Sequence, residues 1–308
     1  MAIILQKREE NHRMQSIKKD MNPKLNRKAW MFILPSAVLI TVFVFYPMVQ
    51  AFITSFQSGA GNQLSFSGLD NYRRLLMDTT FRKALGNTIL FLAVQVPIMI
   101  ILALIISSML NNKRLKFKGL FRTAIFLPCV TSLVAYSIIF KSLFAMDGFV
   151  NAVLMKMHMI SAPIPWITDP VLAKVLIIIA ITWRWTGYNM VFYLSGIQAI
   201  DDSIYEAAEI DGAGIYQKFK SITLPMLKPI ILFTTINSTI GTLQLFDEPM
   251  NITAGGPANA TITISQYIYH VLFKYFPNFG YAAAISYVIV VMIVLLSFIQ
   301  MKVGDKND

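Results

Sequence analysis

Six stretches of this chain are long and apolar enough to cross a lipid bilayer, and no other feature restricts its fold as tightly. A helix crossing the hydrocarbon core needs roughly 20 largely apolar residues. Ala29 to Phe52, Thr88 to Leu110, Ala124 to Phe144, Val171 to Gln198, Ile230 to Phe246 and Tyr281 to Met301 meet or approach that length. Within hydrocarbon each backbone N–H and C=O must be paired within the protein, and apolar runs of this length do so as helices. The expected class is therefore all-α, a polytopic membrane protein with six transmembrane helices. Composition agrees: 56% of the 308 residues are hydrophobic and 14% charged, more apolar surface than one soluble core buries. The lone Cys129 lies inside an apolar run, which excludes a disulfide within the chain and reads as a buried small residue.

Charge sets the expected orientation. Eight basic residues precede Ala29, from Lys7 to Lys28, and "NNKRLKFKGLFR" adds five between the second and third runs. With alternating spans these fall on the same side as Lys218, Lys220, Lys228, Lys302 and Lys306, which predicts both termini in the cytoplasm. The expected organisation is a basic cytoplasmic arm (1–28), a six-helix membrane domain (29–302) that includes a cytoplasmic loop (201–229), and a short cytoplasmic tail (303–308). The net charge of +11 does not indicate nucleic acid, because the basic residues flank apolar runs rather than interleave with exposed aromatics. The outer segment from Ala145 to Pro170 is too polar to span, and its recurring Met, Val, Phe and Trp predict an amphipathic helix at the outer membrane surface.

The fifth run stands apart. "IILFTTINSTIGTLQLF", residues 230 to 246, is short and rich in hydroxyls and amides, which lipid penalises and a cavity or polar ligand accepts. Spacings of three and four put Thr234, Asn237, Ser238, Gly241, Thr242 and Leu245 on one face. In the fourth run Thr182, Trp185, Tyr188, Asn189 and Phe192 form a comparable stripe. Amides and hydroxyls match the hydroxyls of a sugar and aromatic rings cover its apolar face; the same residue types also act as glue between helices. Arg184, in "TWRWTG", is costly to leave unpaired at depth. Two readings stay open for it: an anionic group on a substrate, or a structural partner such as a carbonyl or an acid on a second subunit. Asp247 and Glu248, at the outer end of the fifth run, read either as gate or docking residues or as solvated loop residues.

Between the fourth and fifth runs lies "EAAEIDGAGIYQKFKSITLP", residues 206 to 225, polar and strictly punctuated. Asp201, Asp202 and Ser203 are good N-cap residues, and Gly212 stops the first helix. A second helix over Ile215 to Ile222 is expected to end at Leu224 and Pro225, before Pro229 opens the next span.

The order Glu206, Ala207, Ala208, then Gly212, Ile222, Leu224 and Pro225 resembles the EAA loop of permease subunits of binding-protein-dependent ABC importers. "FSGLDNYRRLL", "FRTAIFLP", "GYNMVFYLSGIQAI", "YEAAEIDGAG", "GGP" and "FGYAAAISY" resemble the carbohydrate-uptake branch, the family of the maltose transporter permeases. The likeness runs from about Trp30 to the end of the last span, and the longer N-terminus is similar to the first permease of the pair.

The resemblance implies the transmembrane fold of a type I ABC importer and a set of partners: a second permease, two cytoplasmic ATPase subunits, and an extracellular binding protein that delivers the sugar. It implies that Glu206, Ala207, Ala208, Asp211, Gly212, Ala213, Phe219, Leu224 and Pro225 form the ATPase-coupling surface. It places substrate contacts at Thr182, Trp185, Tyr188, Ser238, Gly241 and Thr242, beside the stripe members Asn189 and Asn237. No GxxxxGK[ST] phosphate cradle occurs, so active transport needs ATP and Mg²⁺ bound by a partner, or an ion gradient. The expectation is no cofactor on this chain and no enzymatic activity of its own. The absence of Asp or Glu inside the six runs disfavours ion coupling. His12, His158 and His270 lack ligand spacing, so no metal site is expected.

Overall fold

The computed structural model describes residues 23–60, 63–112 and 114–305. Most of the basic arm, Lys113 and the last three residues of the tail lie outside the described residues. Two compact units divide between Thr54 and Ser55.

The described residues of the first unit are helical. Helix α1 (Pro23–Ile40) passes through a π turn (Thr41–Phe45) into α2 (Tyr46–Ser55). The turn is marked by the five-residue bond from Tyr46 N–H to Thr41 O. Over Trp30–Ser55 the apolar side chains point outward all round, Phe32 being 86% and Phe43 71% exposed, as in a helix covered by lipid or by another chain.

The second unit opens with a hairpin of β1 (Gln57–Ala60) and β2 (Gln63–Phe66), antiparallel with Gln57 opposite Phe66. Then follow α3 (Asp70–Met77), α4 (Thr79–Asn111), α5 (Lys118–Val130), α6 (Leu133–Leu143), α7 (Phe149–Lys156) and α8 (Pro170–Gln198). After them come α9 (Asp202–Ile210), α10 (Ile215–Lys218), a π turn (Phe219–Thr223), α11 (Leu224–Leu243), a π turn (Pro249–Thr253), α12 (Ile264–Tyr269), a π turn (His270–Lys274) and α13 (Phe279–Asp305). Among the described residues five helical stretches are long and apolar enough to cross a membrane, and α5 with α6 makes a sixth when counted as one span.

The expected straight third span is instead broken, with α5 and α6 meeting at 103°. Thr131 is extended at the break, and its hydroxyl donates to Pro128 O at 3.0 Å, holding the corner. The expected outer loop 57–87 is largely structured, and the second span starts at Thr79 rather than Thr88 because Asp78 caps it.

Helices α4 and α8 form the spine of the second unit. Phe91, Leu176, Ile177 and Ile181 pack with Tyr136 and Phe140 of α6, and Ala103, Met190 and Tyr193 pack with Leu227 of α11. Helix α5 crosses α8 at Gly187, where a Cβ would come within 2.2 Å of Ile125 O. Asn151 of α7 is fully buried. It donates to Ile164 O at 3.0 Å and accepts from Ile164 N–H and Trp166 Nε1–H, both at 3.1 Å. The expected amphipathic helix is thus a pinned part of the 145–170 segment.

Asp78 ties down one end of the unit. Its Oδ1 accepts from the N–H groups of Thr80 and Phe81, and its Oδ2 accepts from the hydroxyls of Tyr267 and Tyr281, each at 2.5 Å. Burial works to raise its pKa, but the two hydroxyls and two N–H groups outweigh burial and hold it below the ordinary 3.8. A carboxyl with a lowered native pKa contributes stability that is fully present above its unfolded pKa and is lost as pH falls through the native value. Asp78→Ala removes a cap and two charge-assisted bonds. We expect a loss of about 2 kcal/mol or more, read as a lower melting temperature at neutral pH, with the gap from wild type closing in acid.

Candidate translocation site and coupling elbow

Two regions gather the residues singled out from the sequence. The first is a cavity of about 390 Å³ between α5, α8 and α11, lined by Cys129, Arg184, Trp185, Tyr188, Asn237, Ile240 and Gly241. Trp185 packs edge-on against Tyr188 with centroids 5.6 Å apart, and Tyr188 leans on Phe192 at 5.0 Å. Gly241 makes room for this ladder, since a Cβ there would sit 2.6 Å from Trp185 Cζ2. Cys129 is half-buried, and its thiol donates to Arg184 O at 2.8 Å.

The stripes separate into two sets. Trp185, Tyr188, Asn237 and Gly241 line the cavity, whereas Asn189, Ser238 and Thr242 are buried against α4. The Asn189 amide donates to Trp185 O at 2.9 Å and to Met99 Sδ at 2.9 Å. The Thr242 hydroxyl lies 3.0 Å from Gln95 Oε1 and 2.8 Å from Ser238 O. Thr234 is likewise paired, with Tyr193 at 2.9 Å. These polar groups hold helices together. Thr182 is also buried, and its hydroxyl has no hydrogen-bond partner among the described residues. Sequence spacing put Asn237 and Ser238 on one face, but α11 is wedged between α4 and α8, so neighbouring positions meet different surroundings. Gln95, a lone amide within the second apolar run, was the available signal for the α4 contacts.

Arg184 has its partner within this chain, not on a second subunit. Its Nε and Nη2 each lie 3.0 Å from Glu248 Oε1, and Glu248 is 1% exposed, so it is no solvated loop residue. The guanidinium also stacks 5.1 Å from the Trp185 ring.

The second region is the elbow between α8 and α11. Asp201 Oδ1 accepts from Ser203 N–H at 2.9 Å and caps α9. Gly212 ends that helix at φ +79°, while Ala213 N–H donates to Ala208 O at 2.8 Å. Two links then brace α9 against the returning chain: Lys218 Nζ to Glu209 Oε2 at 3.0 Å, and Tyr205 OH to Thr223 Oγ1 at 2.8 Å. Glu206, Ala207, Asp211, Gly212, Leu224 and Pro225 are exposed, and Ala208, Ala213 and Phe219 are half-buried.

The second elbow helix does not stop at Leu224 and Pro225. It continues through the π turn into α11, as one helix from Ile215 to Leu243. The Leu224 N–H reaches back to Phe219 O, which widens the turn where the Pro225 ring would press on the preceding carbonyl. The elbow is therefore the rigid end of the helix that lines the cavity. A crevice of about 800 Å³ brings its Tyr205, Lys218 and Phe219 together with Ser108, Asn111 and Lys118, so Lys118, in the basic stretch between α4 and α5, lies at the elbow's end of the unit.

Residues 100–303 match the family described as binding-protein-dependent transport system inner membrane component. The chain belongs to this family. It is a multi-pass membrane transport subunit, not an enzyme. The lactose transport system permease protein LacF of Rhizobium radiobacter is 59% identical to this permease over 273 residues, which cover 88% of this chain and 92% of that one. The arabinooligosaccharides transport system permease protein AraP of Bacillus subtilis (strain 168) is 34% identical, covering 89% and 88%. The fold is that of a bacterial ABC transporter involved in import of the acidic polysaccharide alginate, with TM-score 0.80 at 22% identity over 94% of this chain and 99% of that one.

Proposed function

We propose that this permease is the transmembrane subunit of an ATP-driven importer of uncharged sugars or oligosaccharides. It forms half of the pathway with a second permease and takes cargo from an external sugar-binding protein. Two cytoplasmic ATPase subunits, which bind ATP and Mg²⁺, drive it through the 201–229 elbow, with both termini in the cytoplasm. The observation that carries the cargo reading is the cavity itself. It offers an indole, a phenol and an amide on two spans, in a volume within the range of about 300–1,000 Å³ that suits small ligands. Glu248 already neutralises Arg184, which favours uncharged saccharides over acidic sugars or sugar phosphates. The likeness to permeases named for lactose and arabinooligosaccharide transport supports the same class.

The two sets of polar residues give the test. In the reconstituted transporter, Asn237→Leu is expected to raise the KM for a saccharide from a panel that includes lactose about tenfold, with the melting temperature unchanged, because one ligand hydrogen bond is lost. Thr242→Val should do the reverse, lowering the melting temperature with little change in KM. Unchanged KM in Asn237→Leu would remove this cavity from the pathway.

A further inference from the structure

The aromatic ladder that starts in the cavity continues past it. Tyr188 leans on Phe192, and Phe192 in turn meets Phe233 of α11, with centroids 6.0 Å apart and planes inclined at 55°. Both phenylalanines lie beyond the cavity lining. Helix α8 runs toward the elbow and α11 away from it, so both rings sit on the elbow side of Tyr188 and Asn237. Trp185, Tyr188 and Phe192 follow at spacings of three and four, and Phe233, Asn237 and Gly241 at four and four, so each helix carries its row on one face. From Trp185 to Phe192 the row climbs about 10 Å along the helix axis, room for two linked sugar rings.

The rings are open to a ligand. Successive planes are inclined at 85°, 56° and 55°, so no ring is sandwiched between parallel neighbours. Phe192 is half-buried and Phe233 is 53% exposed. An exposed phenylalanine in a membrane-crossing stretch ordinarily faces acyl chains. This one shares its face with the Asn237 amide of the cavity, a group that acyl chains penalise and a hydroxylated ligand does not. The negative face of an aromatic ring also attracts the slightly positive C–H bonds that cover one side of a sugar ring.

We propose that Phe192 and Phe233 form a second saccharide subsite, which holds the next ring of a cargo whose first ring sits at Trp185, Tyr188 and Asn237. The subsite rests on the sugar reading above and narrows it to saccharides of two or more rings, with chain length selected inside the permease.

The permease pair with its ATPase subunits is placed in nanodiscs without the external binding protein or ATP. It is titrated with galactose and lactose, and with arabinose, arabinobiose and arabinotriose, and affinities are read by saturation-transfer NMR. Phe192→Leu and Phe233→Leu should each weaken the longer sugars of a series about fivefold and leave its monosaccharide unchanged, since each removes one ring face and keeps most of the apolar bulk. Phe192→Tyr and Phe233→Tyr restore the ring and should keep the wild-type preference. Phe233 is the more exposed, so the Phe233→Leu protein is expected to melt like wild type. Asn237→Leu should weaken long and short sugars alike. Unchanged affinity for the longer sugars in both Leu variants, or an equal loss for the monosaccharide, overturns the subsite, while Asn237→Leu still reports on the cavity. If no sugar binds the wild type, the sugar reading falls and the subsite with it. A photo-crosslinker at position 233 that labels lipid places the ring against the bilayer and overturns the proposal. Labelling of the second permease that sugar does not reduce makes the ring an interface residue and overturns it too.

Discussion

Gly212→Val is expected to abolish ATP-driven sugar uptake and to release the ATPase subunits, whereas Gly212→Asn retains most of both. The reason is conformational. Gly212 sits at φ +79°, and nothing lies within 4 Å of a Cβ built there, so a side chain meets no clash with its surroundings. What a β-branched residue cannot do is adopt that backbone, at a cost of about 1–2 kcal/mol, while Asn tolerates it. The Val variant pays this cost by straightening the exit from α9, which moves Glu206 and Ala207 relative to the braced Ile215 end. Ile210 and Ile215, 88% and 87% exposed beside Gly212, mark the elbow's surface as one meant to be covered. Glu206→Arg should break the same attachment by reversing a charge without touching the backbone. Co-purification of the ATPase and membrane insertion are measured together. Normal ATPase yield from both Gly212→Val and Glu206→Arg would show that the partner docks elsewhere.

The spans were legible because the period and length of an apolar run follow directly from bilayer thickness, and the elbow because capping residues and Gly212 have local meanings. What was not legible is three-dimensional adjacency. Thr131 and Ser132 carry no strong break signal, and the 103° bend at this point depends on the Thr131 hydroxyl finding Pro128 O. Asn189 and Tyr188 are neighbours in a polar stripe, yet one bonds Met99 and the other lines a cavity, a difference set by where α4 lies. Pro225 read as a helix stop because its missing N–H counts against continuation. The π turn before it absorbs that loss, and Leu227, just beyond Pro225, packs close against Gly196 of α8, a contact between distant segments that no local signal announces.

The Arg184–Glu248 pair yields an effect of comparable size, on folding rather than coupling. Arg184→Met strands a carboxylate that is 1% exposed, and removing one partner of a buried pair costs about 3–5 kcal/mol. Glu248→Gln should be milder, because Arg184 keeps 18% exposure and its stacking on Trp185. The double variant Arg184→Met/Glu248→Leu removes both charges and is expected to recover most of the lost melting temperature, since an apolar pair of similar volume meets no desolvation penalty. The pair also binds α8 to the segment leading into the π turn Pro249–Thr253, which packs on α6. If its role is only to hold these elements, transport recovers along with stability in the double variant. If Arg184 instead bonds cargo in the cavity it lines, the double variant melts like wild type and still fails to take up sugar. Melting curves and uptake on the same three proteins separate these outcomes. A double variant as unstable as Arg184→Met would refute the premise that the charges act as a neutralised unit.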